Sequence, residues 1–217
     1  MYEQGMVRMQ AEGAKEASVT LGLLCADVKN KILLAMAEGL MAEERAILAA
    51  NATDMENGRQ GGLKDSFLDR LLLTHERLAQ MAEGIRQVVD LEDPVGKVLS
   101  GRTLSNGLTI TKVTVPLGLI GIIYEARPNV TADAIALCVK SGNAVILKGG
   151  REALHSNKAV SDALIAAGRK AGLPEGAVQF INIPEREAVT ELIHLDGLVD
   201  CLLYTSPSPR DAHESRM

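Results

Sequence analysis

The sequence lacks several features that mark common functional classes. It has no block of like charges, and its formal net charge is −5 over 217 residues. Neither a nucleic acid nor an anionic membrane is therefore expected as a partner, because both bind clusters of basic residues. The three cysteines form no Cys-x-x-Cys pair and no spacing typical of a metal site. This usage fits a reducing cytoplasm and argues against a disulfide framework.

Long apolar segments are also missing. No run approaches the roughly 18 apolar residues that a membrane-spanning helix needs. Residues 1–18 have no apolar centre of the kind found in secretory signals. We therefore expect a cytoplasmic protein without a membrane partner. Hydrophobic residues make up 47% of the chain and charged residues 24%, which is typical of a protein with a packed core.

Apolar residues recur at helical spacing within residues 1–97, which predicts a helical amino-terminal part. One apolar stripe consists of Val28, Ile32, Met36 and Leu40. A second helix is predicted to begin near Ala42 and to end before the polar stretch 57–62. A third is predicted between Thr74, a residue type that caps helices, and the proline-containing stretch 91–96.

The pattern changes at residue 98. Residues 98–104 and 108–115 flank Ser105-Asn106-Gly107, and Asn-Gly between two such segments is a strong hairpin signal. The second segment is rich in β-branched residues, which suit a strand. Over residues 116–203 apolar strands alternate with helices; strands are predicted at 119–124, 144–147 and 178–181, and helices at 131–140, 156–171 and 185–195. We therefore expect an α/β fold, in which a helical region and a β-hairpin lead into a partial, mostly parallel, Rossmann-like sheet.

The last segment, residues 204–217, does not share this alternation. It is rich in Ser, Pro and Arg and has almost no apolar residues, which is typical of disorder. We expect a disordered, non-native tail that begins near Cys201.

Two polar segments follow predicted strands, where α/β folds bind ligands. The first is residues 124–129, Tyr-Glu-Ala-Arg-Pro-Asn. The side-chain amide of Asn129 is a candidate oxyanion donor, because an amide N–H is available without proton transfer. The alternative is that Asn129 caps the following helix. Arg127 is a candidate for binding a carboxylate or phosphate through two hydrogen bonds, with a surface ion pair as its alternative.

The second polar segment is residues 147–151, Leu-Lys-Gly-Gly-Arg. Gly149 and Gly150 let a ligand approach the backbone, and Lys148 can bind sugar hydroxyls or phosphate. Arg151 would suit the 2′-phosphate of NADP. The chain contains neither G-x-G-x-x-G nor G-x-x-x-x-G-K-[S/T], so a plain turn at the end of a strand is an equal alternative. The same absence disfavours a kinase.

The cysteines and histidines give no candidate nucleophile, base or metal site. Cys25 and Cys138 stand beside apolar residues and are expected to be small core residues. His155 and His194 are expected at helix ends, in cap or surface roles.

Residues 115–157, VPLGLIGIIYEARPNVTADAIALCVKSGNAVILKGGREALHSN, resemble the γ-glutamyl phosphate reductase family, a branch of the aldehyde dehydrogenase superfamily. Further segments that carry the resemblance are ANATDMENGR (50–59), DSFLDRLLLT (65–74), LSGR (99–102), LSNGL (104–108) and INIPEREAVTELIHLDGLVD (181–200). The resemblance implies a sheet of the aldehyde dehydrogenase type and oligomerisation-type strands in the hairpin.

The resemblance also implies an activity. The family reduces L-glutamyl 5-phosphate with NADPH to L-glutamate 5-semialdehyde and phosphate, in proline biosynthesis. A cysteine thiolate displaces the phosphate, and the thioester then accepts a hydride. Asn129 matches the position that donates to the thioester oxygen, and Lys148 the position that contacts the adenosine ribose. The candidates for contacts with the glutamyl portion are Arg70, Glu125 and Arg127.

The family's nucleophilic cysteine comes well after the segment that matches HLDGLVD (194–200), and this chain has no match for it. The resemblance therefore implies an amino-terminal fragment that is inactive alone, and a homo-oligomer for a full-length member. A stand-alone nucleotide- or phosphate-binding module without catalysis remains the alternative.

Overall fold

The computed structural model describes residues 5–204. Its first half is helical, and the helices are α1 (Met6–Gly22), α2 (Ala26–Ala42), α3 (Glu44–Gln60), α4 (Asp65–Leu71) and α5 (His75–Asp90). The predicted cap of α5 is confirmed, since the Thr74 hydroxyl accepts a hydrogen bond from the backbone N–H of Arg77 at 3.2 Å. No helix within residues 5–204 is long and apolar enough to cross a membrane.

Helix α3 continues through the first residues of the polar stretch 57–62, where the prediction placed a break. Gly58 lies inside the helix, and a Cβ atom there would lie 3.0 Å from a methyl carbon of Leu63. The chain turns only at Gly62, whose φ is +74°. Gly58 therefore packs closely against Leu63 inside the helix, and the polar character of this stretch did not mark the helix end.

The predicted hairpin is confirmed. Strand β1 (Val98–Thr103) pairs antiparallel with β2 (Thr109–Val113), and Gly107 in the turn has a φ of +86°. β2 ends two residues earlier than predicted. Every residue of both strands is exposed, so the hairpin projects from the rest of the described structure.

A second sheet has four parallel strands in the order β5-β4-β3-β6. Its strands are β3 (Leu119–Ile123), β4 (Ala144–Lys148), β5 (Val178–Phe180) and β6 (Cys201–Tyr204). Helices α6 (Pro128–Lys140), α7 (Leu154–Ala171) and α8 (Glu187–Ile193) make the crossovers, and a 3₁₀ turn, Arg151–Ala153, precedes α7. The predicted α/β class and parallel sheet are confirmed.

Helices cover both faces of this sheet, which explains why β3 and β4 are apolar along nearly their whole length. On one face, Ile120, Val145 and Leu147 pack into a core with residues of α2, α5, α6 and α7. On the other face, Leu119 and Ile146 pack against α1 and α8. Amino-terminal helices therefore pack directly on both faces of the sheet, with a separate core on each face.

Residues 201–204 form a strand of the sheet, so the predicted disorder does not begin at Cys201. Cys201 pairs with Ile120 and Tyr204 with Ile123. The carboxylate of Asp200, just before β6, accepts hydrogen bonds from Lys15 Nζ at 2.5 Å and from the backbone N–H of Leu119 at 2.7 Å. The remainder of the predicted tail, residues 205–217, lies outside the described residues.

Candidate functional site

The two predicted polar segments meet at the carboxyl edge of the parallel sheet, because they follow the adjacent strands β3 and β4. The backbone N–H of Tyr124 donates to the carbonyl oxygen of Lys148 at 3.1 Å. A Cβ atom on Gly150 would lie 3.2 Å from the backbone nitrogen of Ala126. The turns after the two strands are therefore in direct contact.

Three of the predicted site residues line one cleft of about 420 Å³, which we call the arginine cleft. They are Arg70, Arg127 and Asn129. Arg70 lies in the last turn of α4 and reaches this cleft from the helical region, whereas the other two lie at the start of α6. Glu125 is exposed and does not line the cleft, so the structure does not bring it together with the other three.

Asn129 is the second residue of α6, after Pro128 in the first position, and the N-cap is Arg127. The alternative that Asn129 caps this helix is therefore wrong. Proline favours the first helical position, so α6 begins three residues before the predicted start. The Asn129 side chain is exposed and has no hydrogen-bond partner within residues 5–204. Its amide is available to a ligand, beside the positive end of the α6 dipole.

The arginines of the cleft fall into two groups. Arg77 is tied down, since it donates to Asp69 Oδ1 and to the carbonyl oxygen of Leu72, both at 2.8 Å. Arg70 and Arg127 are exposed and have no ion-pair partner among the described residues, so the surface ion pair considered for Arg127 is absent there. These two guanidinium groups can each bind a carboxylate or phosphate with two hydrogen bonds.

Sequence reasoning missed Asp133, which also lines the arginine cleft. It lies one helical turn after Asn129, and residues four apart share a helix face. Burial raises the pKa of Asp133 above its ordinary value. Its position four residues after Asn129 was the signal in the sequence from which it could have been found.

A second cleft, of about 270 Å³, is lined by Lys148, Gly149, Gly150 and Arg151, and we call it the lysine cleft. Lys148 is only 4% exposed. Its Nζ donates to the carbonyl oxygen of Gly149 at 3.0 Å, which leaves two of its three donors free. Burial lowers the pKa of Lys148, and the carboxylates of Glu152 and Glu185 partly oppose that effect.

The glycines of this turn are required by close packing within the protein. A Cβ atom on Gly149 would lie 2.3 Å from the side-chain nitrogen of the buried Asn157, and one on Gly150 would lie 3.2 Å from the backbone nitrogen of Ala126. Arg151 has a largely exposed side chain and contacts Glu152 at 3.2 Å. It also lines the adjoining cleft around His155, so it lies between two open spaces.

Two buried polar residues of α3, Asn51 and Asp54, support both clefts and were also missed from the sequence. Asp54 accepts hydrogen bonds from the backbone N–H and hydroxyl of Ser156 and contacts His155 Nδ1 at 2.7 Å. Asn51 donates to Ser156 Oγ at 3.0 Å and to the carbonyl oxygen of Leu71 at 2.8 Å. Helix α3 thereby joins the start of α7 to the segment that follows Arg70.

The predicted roles of the histidines are confirmed, but one cysteine differs. His155 is in the first turn of α7 and His194 follows α8. Cys138 is buried, and burial, with a smaller effect of Cys201, raises the pKa of its thiol to about 12. Cys25 is exposed, so its prediction as a core residue is wrong. None of the three lines either cleft.

Comparison with known proteins gives a consistent result. The aldehyde dehydrogenase family matches residues 3–205. The chain is 52% identical over 190 residues to γ-glutamyl phosphate reductase of Clostridium novyi, which covers 88% of this chain and 46% of that relative. It is 50% identical over 195 residues to the Heliobacterium modesticaldum protein of the same name, and the match covers 90% of this chain and 47% of that relative. The chain thus spans about half the length of the curated relatives it matches.

Solved structures agree with this. The γ-glutamyl phosphate reductase of Thermotoga maritima superimposes with a TM-score of 0.90 at 38% identity, over 92% of this chain and 48% of that one. An acetylating aldehyde dehydrogenase from Geobacillus thermoglucosidasius, at 19% identity and a TM-score of 0.69 over 97% of this chain and 44% of that one, shares the fold alone. The predicted sheet of the aldehyde dehydrogenase type is confirmed.

Proposed function

The chain belongs to the aldehyde dehydrogenase family, and from this premise we propose that it supplies the substrate and cofactor clefts of an NADPH-dependent γ-glutamyl phosphate reductase. The reaction would convert L-glutamyl 5-phosphate to L-glutamate 5-semialdehyde and phosphate in the cytoplasm. The observation that carries the proposal is the meeting of Asn129 with the unpaired Arg70 and Arg127 in one cleft.

The arginine cleft suits an acyl phosphate. Nucleophilic attack on such a compound places negative charge on the carbonyl oxygen, and the Asn129 amide donates a hydrogen bond to that charge. Arg70 and Arg127 bind the phosphate and the α-carboxylate, the two anionic ends of the substrate. The arrangement therefore combines a donor for the reacting oxygen with cations for both ends.

The lysine cleft suits a nicotinamide cofactor, which family membership implies. Lys148 has two free donors in a position shielded from water, and these can bind the ribose hydroxyls. We assign Arg151 to the 2′-phosphate that distinguishes NADPH from NADH, because its guanidinium is exposed at the mouth of this cleft. The cofactor, when bound, supplies the hydride.

The reaction also needs a thiolate. Cys138 is unsuited to this role because its pKa of about 12 keeps it protonated at neutral pH. None of the three cysteines lines the arginine cleft. We therefore assign the thiolate to a part of the whole protein that this chain does not span.

The exposed hairpin gives a further component of the proposal. Val98, Leu99 and Val113 are 65%, 58% and 46% exposed, although all three are apolar. We propose that β1 and β2 pair with another copy in a homo-oligomer, as the resemblance implies, since paired strands would cover these side chains.

A nucleotide-binding module without catalysis is the competing function. It would need the lysine cleft alone. It gives no role to the arginine cleft, where a free amide and two free guanidinium groups converge. We therefore favour the reductase.

A chimera tests the proposal. Residues 5–204 replace the matching segment of the Clostridium novyi relative, and the chimera is assayed for phosphate-dependent oxidation of L-glutamate 5-semialdehyde with NADP⁺, the reverse reaction. We expect NADPH to form only when phosphate is present. A chimera with a native thermal melt that binds NADPH yet forms none would contradict the proposal and support the binding module.

A further inference from the structure

The charged side chains of the arginine cleft divide into paired and unpaired groups. Arg77 and Asp69 neutralise each other at 2.8 Å. Arg70, Arg127 and Asp133 line the same cleft without an ion-pair partner in residues 5–204. The cleft therefore offers a ligand two cations and one anion.

Asp133 is placed for contact with a bound molecule. It lies on the exposed stripe of α6 that begins at Asn129, and it follows Asn129 by one helical turn, or about 6 Å along the helix axis. On its other side it faces Gly84 of α5, where a Cβ atom would lie 3.7 Å from Asp133 Oδ1. Gly84 contributes no side chain there, and no residue within 5–204 makes a hydrogen bond or ion pair with the Asp133 carboxylate. The raised pKa of Asp133 reflects partial removal from water, which strengthens its attraction to a cation.

The proposed substrate has complementary charges. It carries an anionic phosphate, an α-carboxylate and a positively charged α-ammonium group. The ammonium nitrogen lies four bonds from the acyl carbon, or about 5 Å in an extended chain of standard bond lengths. When the acyl oxygen contacts Asn129, the ammonium group can therefore reach a residue one helical turn away.

We propose that Asp133 binds the α-ammonium group of the substrate and thereby selects an amino-acid acyl phosphate over its deaminated counterpart. The inference rests on the proposed function, because it assumes that the arginine cleft takes the glutamyl group. It adds a specificity-determining residue to that cleft. Arg70 and Arg127 recognise the anionic ends, which the deaminated compound shares, so only Asp133 distinguishes the two.

Two stable phosphonates test the inference on the 217-residue chain. L-2-amino-5-phosphonopentanoate carries the ammonium group, and 5-phosphonopentanoate lacks it. Their dissociation constants are measured by calorimetric titration for the unaltered chain and for Asp133→Asn, Asp133→Glu and Asp162→Asn. Asp162 is an exposed carboxylate on α7, away from the cleft, and serves as the matched control. Thermal melts establish that each variant is folded.

We expect the unaltered chain to bind the amino compound about tenfold or more tightly than the deaminated one, since a hydrogen bond between charged groups has this worth. Asp133→Asn should abolish that preference without weakening 5-phosphonopentanoate, Asp133→Glu should retain part of it, and Asp162→Asn should retain all of it. Equal binding of the two compounds, or equal weakening of both by Asp133→Asn, would overturn the role of Asp133 alone. If neither compound binds the unaltered chain, the substrate assignment of the cleft fails and the inference falls with it.

Discussion

Asp54 on α3 accepts hydrogen bonds from both the backbone N–H and the hydroxyl of Ser156 on α7, at 2.7 and 2.6 Å. The two residues are 102 positions apart in the sequence. Ser156 comes a few residues after the glycine turn that lines the lysine cleft. Asn51, three residues before Asp54, donates a hydrogen bond to the carbonyl oxygen of Leu71 and accepts one from the backbone N–H of Leu73. A single helix therefore holds the start of α7 and the segment that lines the arginine cleft.

Replacement of Asp54 by alanine should destabilise the protein. The substitution leaves the Ser156 hydroxyl, and the backbone N–H groups of His155 and Ser156 in the first turn of α7, without their acceptor inside the protein. We expect the free energy of unfolding to fall by about 2–4 kcal/mol, measured by urea denaturation. Asp162→Ala, on the exposed face of α7, should change it by less than about 0.5 kcal/mol. Equal effects of the two substitutions would remove Asp54 from this structural role.

The ion pair between the buried Lys29 and the partly buried Asp93 should make stability depend on acid pH. Burial by itself disfavours the ionised Asp93, but hydrogen bonds from Lys29 and the Val95 N–H outweigh it, so its pKa lies below the ordinary value. This stabilisation is present above the unfolded carboxyl pKa of about 4 and is lost as the pH falls through the lower folded pKa.

Asp93→Asn isolates that contribution. Its free energy of unfolding should be lower by about 3 kcal/mol at neutral pH, because Lys29 is left buried without its anion. The difference from the unaltered chain should shrink as the pH falls below about 4. A difference that stays constant from neutral pH to pH 3 would contradict this account.

Lys148→Ala should weaken NADPH binding without unfolding the chain. Two free donors of the Nζ would be lost from the lysine cleft, and we expect the dissociation constant to rise about tenfold. Quenching or enhancement of NADPH fluorescence provides the measurement. Lys158→Ala, on the surface of α7, is the matched control and should bind as the unaltered chain does. Unchanged affinity in Lys148→Ala would exclude Lys148 from cofactor binding.

Arg151→Ala should reduce the preference for NADPH over NADH. The guanidinium is assigned to the 2′-phosphate, which NADH lacks, so affinity for NADPH should fall about tenfold while affinity for NADH is retained. Parallel titrations with both cofactors measure the ratio. A loss of equal size for both would mean that Arg151 contacts a part they share.

Local signals predicted the elements well. Thr74 as a cap, Asn106-Gly107 as a hairpin turn and the alternation after residue 118 depend on short-range geometry, and each is confirmed. The start of α6 was predicted three residues late, at Thr131, because the polar residues Arg127 and Asn129 on either side of Pro128 are typical of a turn. Pro128 was the signal that marks the true start.

The site was only partly predictable. Arg127, Asn129 and Lys148 stood out because they follow strands of a predicted parallel sheet. Asp54 could not be identified from the sequence, because its partner Ser156 is brought beside it only by the packing of α3 against α7. Arg70 became a candidate site residue only through the family resemblance. Its place in the arginine cleft likewise depends on tertiary packing, because the cleft also contains residues of α5 and α6.

The turnover of Asn129→Ala in the chimera tests the central claim most directly. If the Asn129 amide donates to the reacting oxygen, kcat should fall by about 10²–10³, or about 2.7–4 kcal/mol, because that hydrogen bond strengthens in the transition state. The thermal melt and the KM for NADP⁺ should not change. A kcat within about threefold of the unaltered chimera would contradict the account, since a loss that small is far below the effect of removing an oxyanion donor.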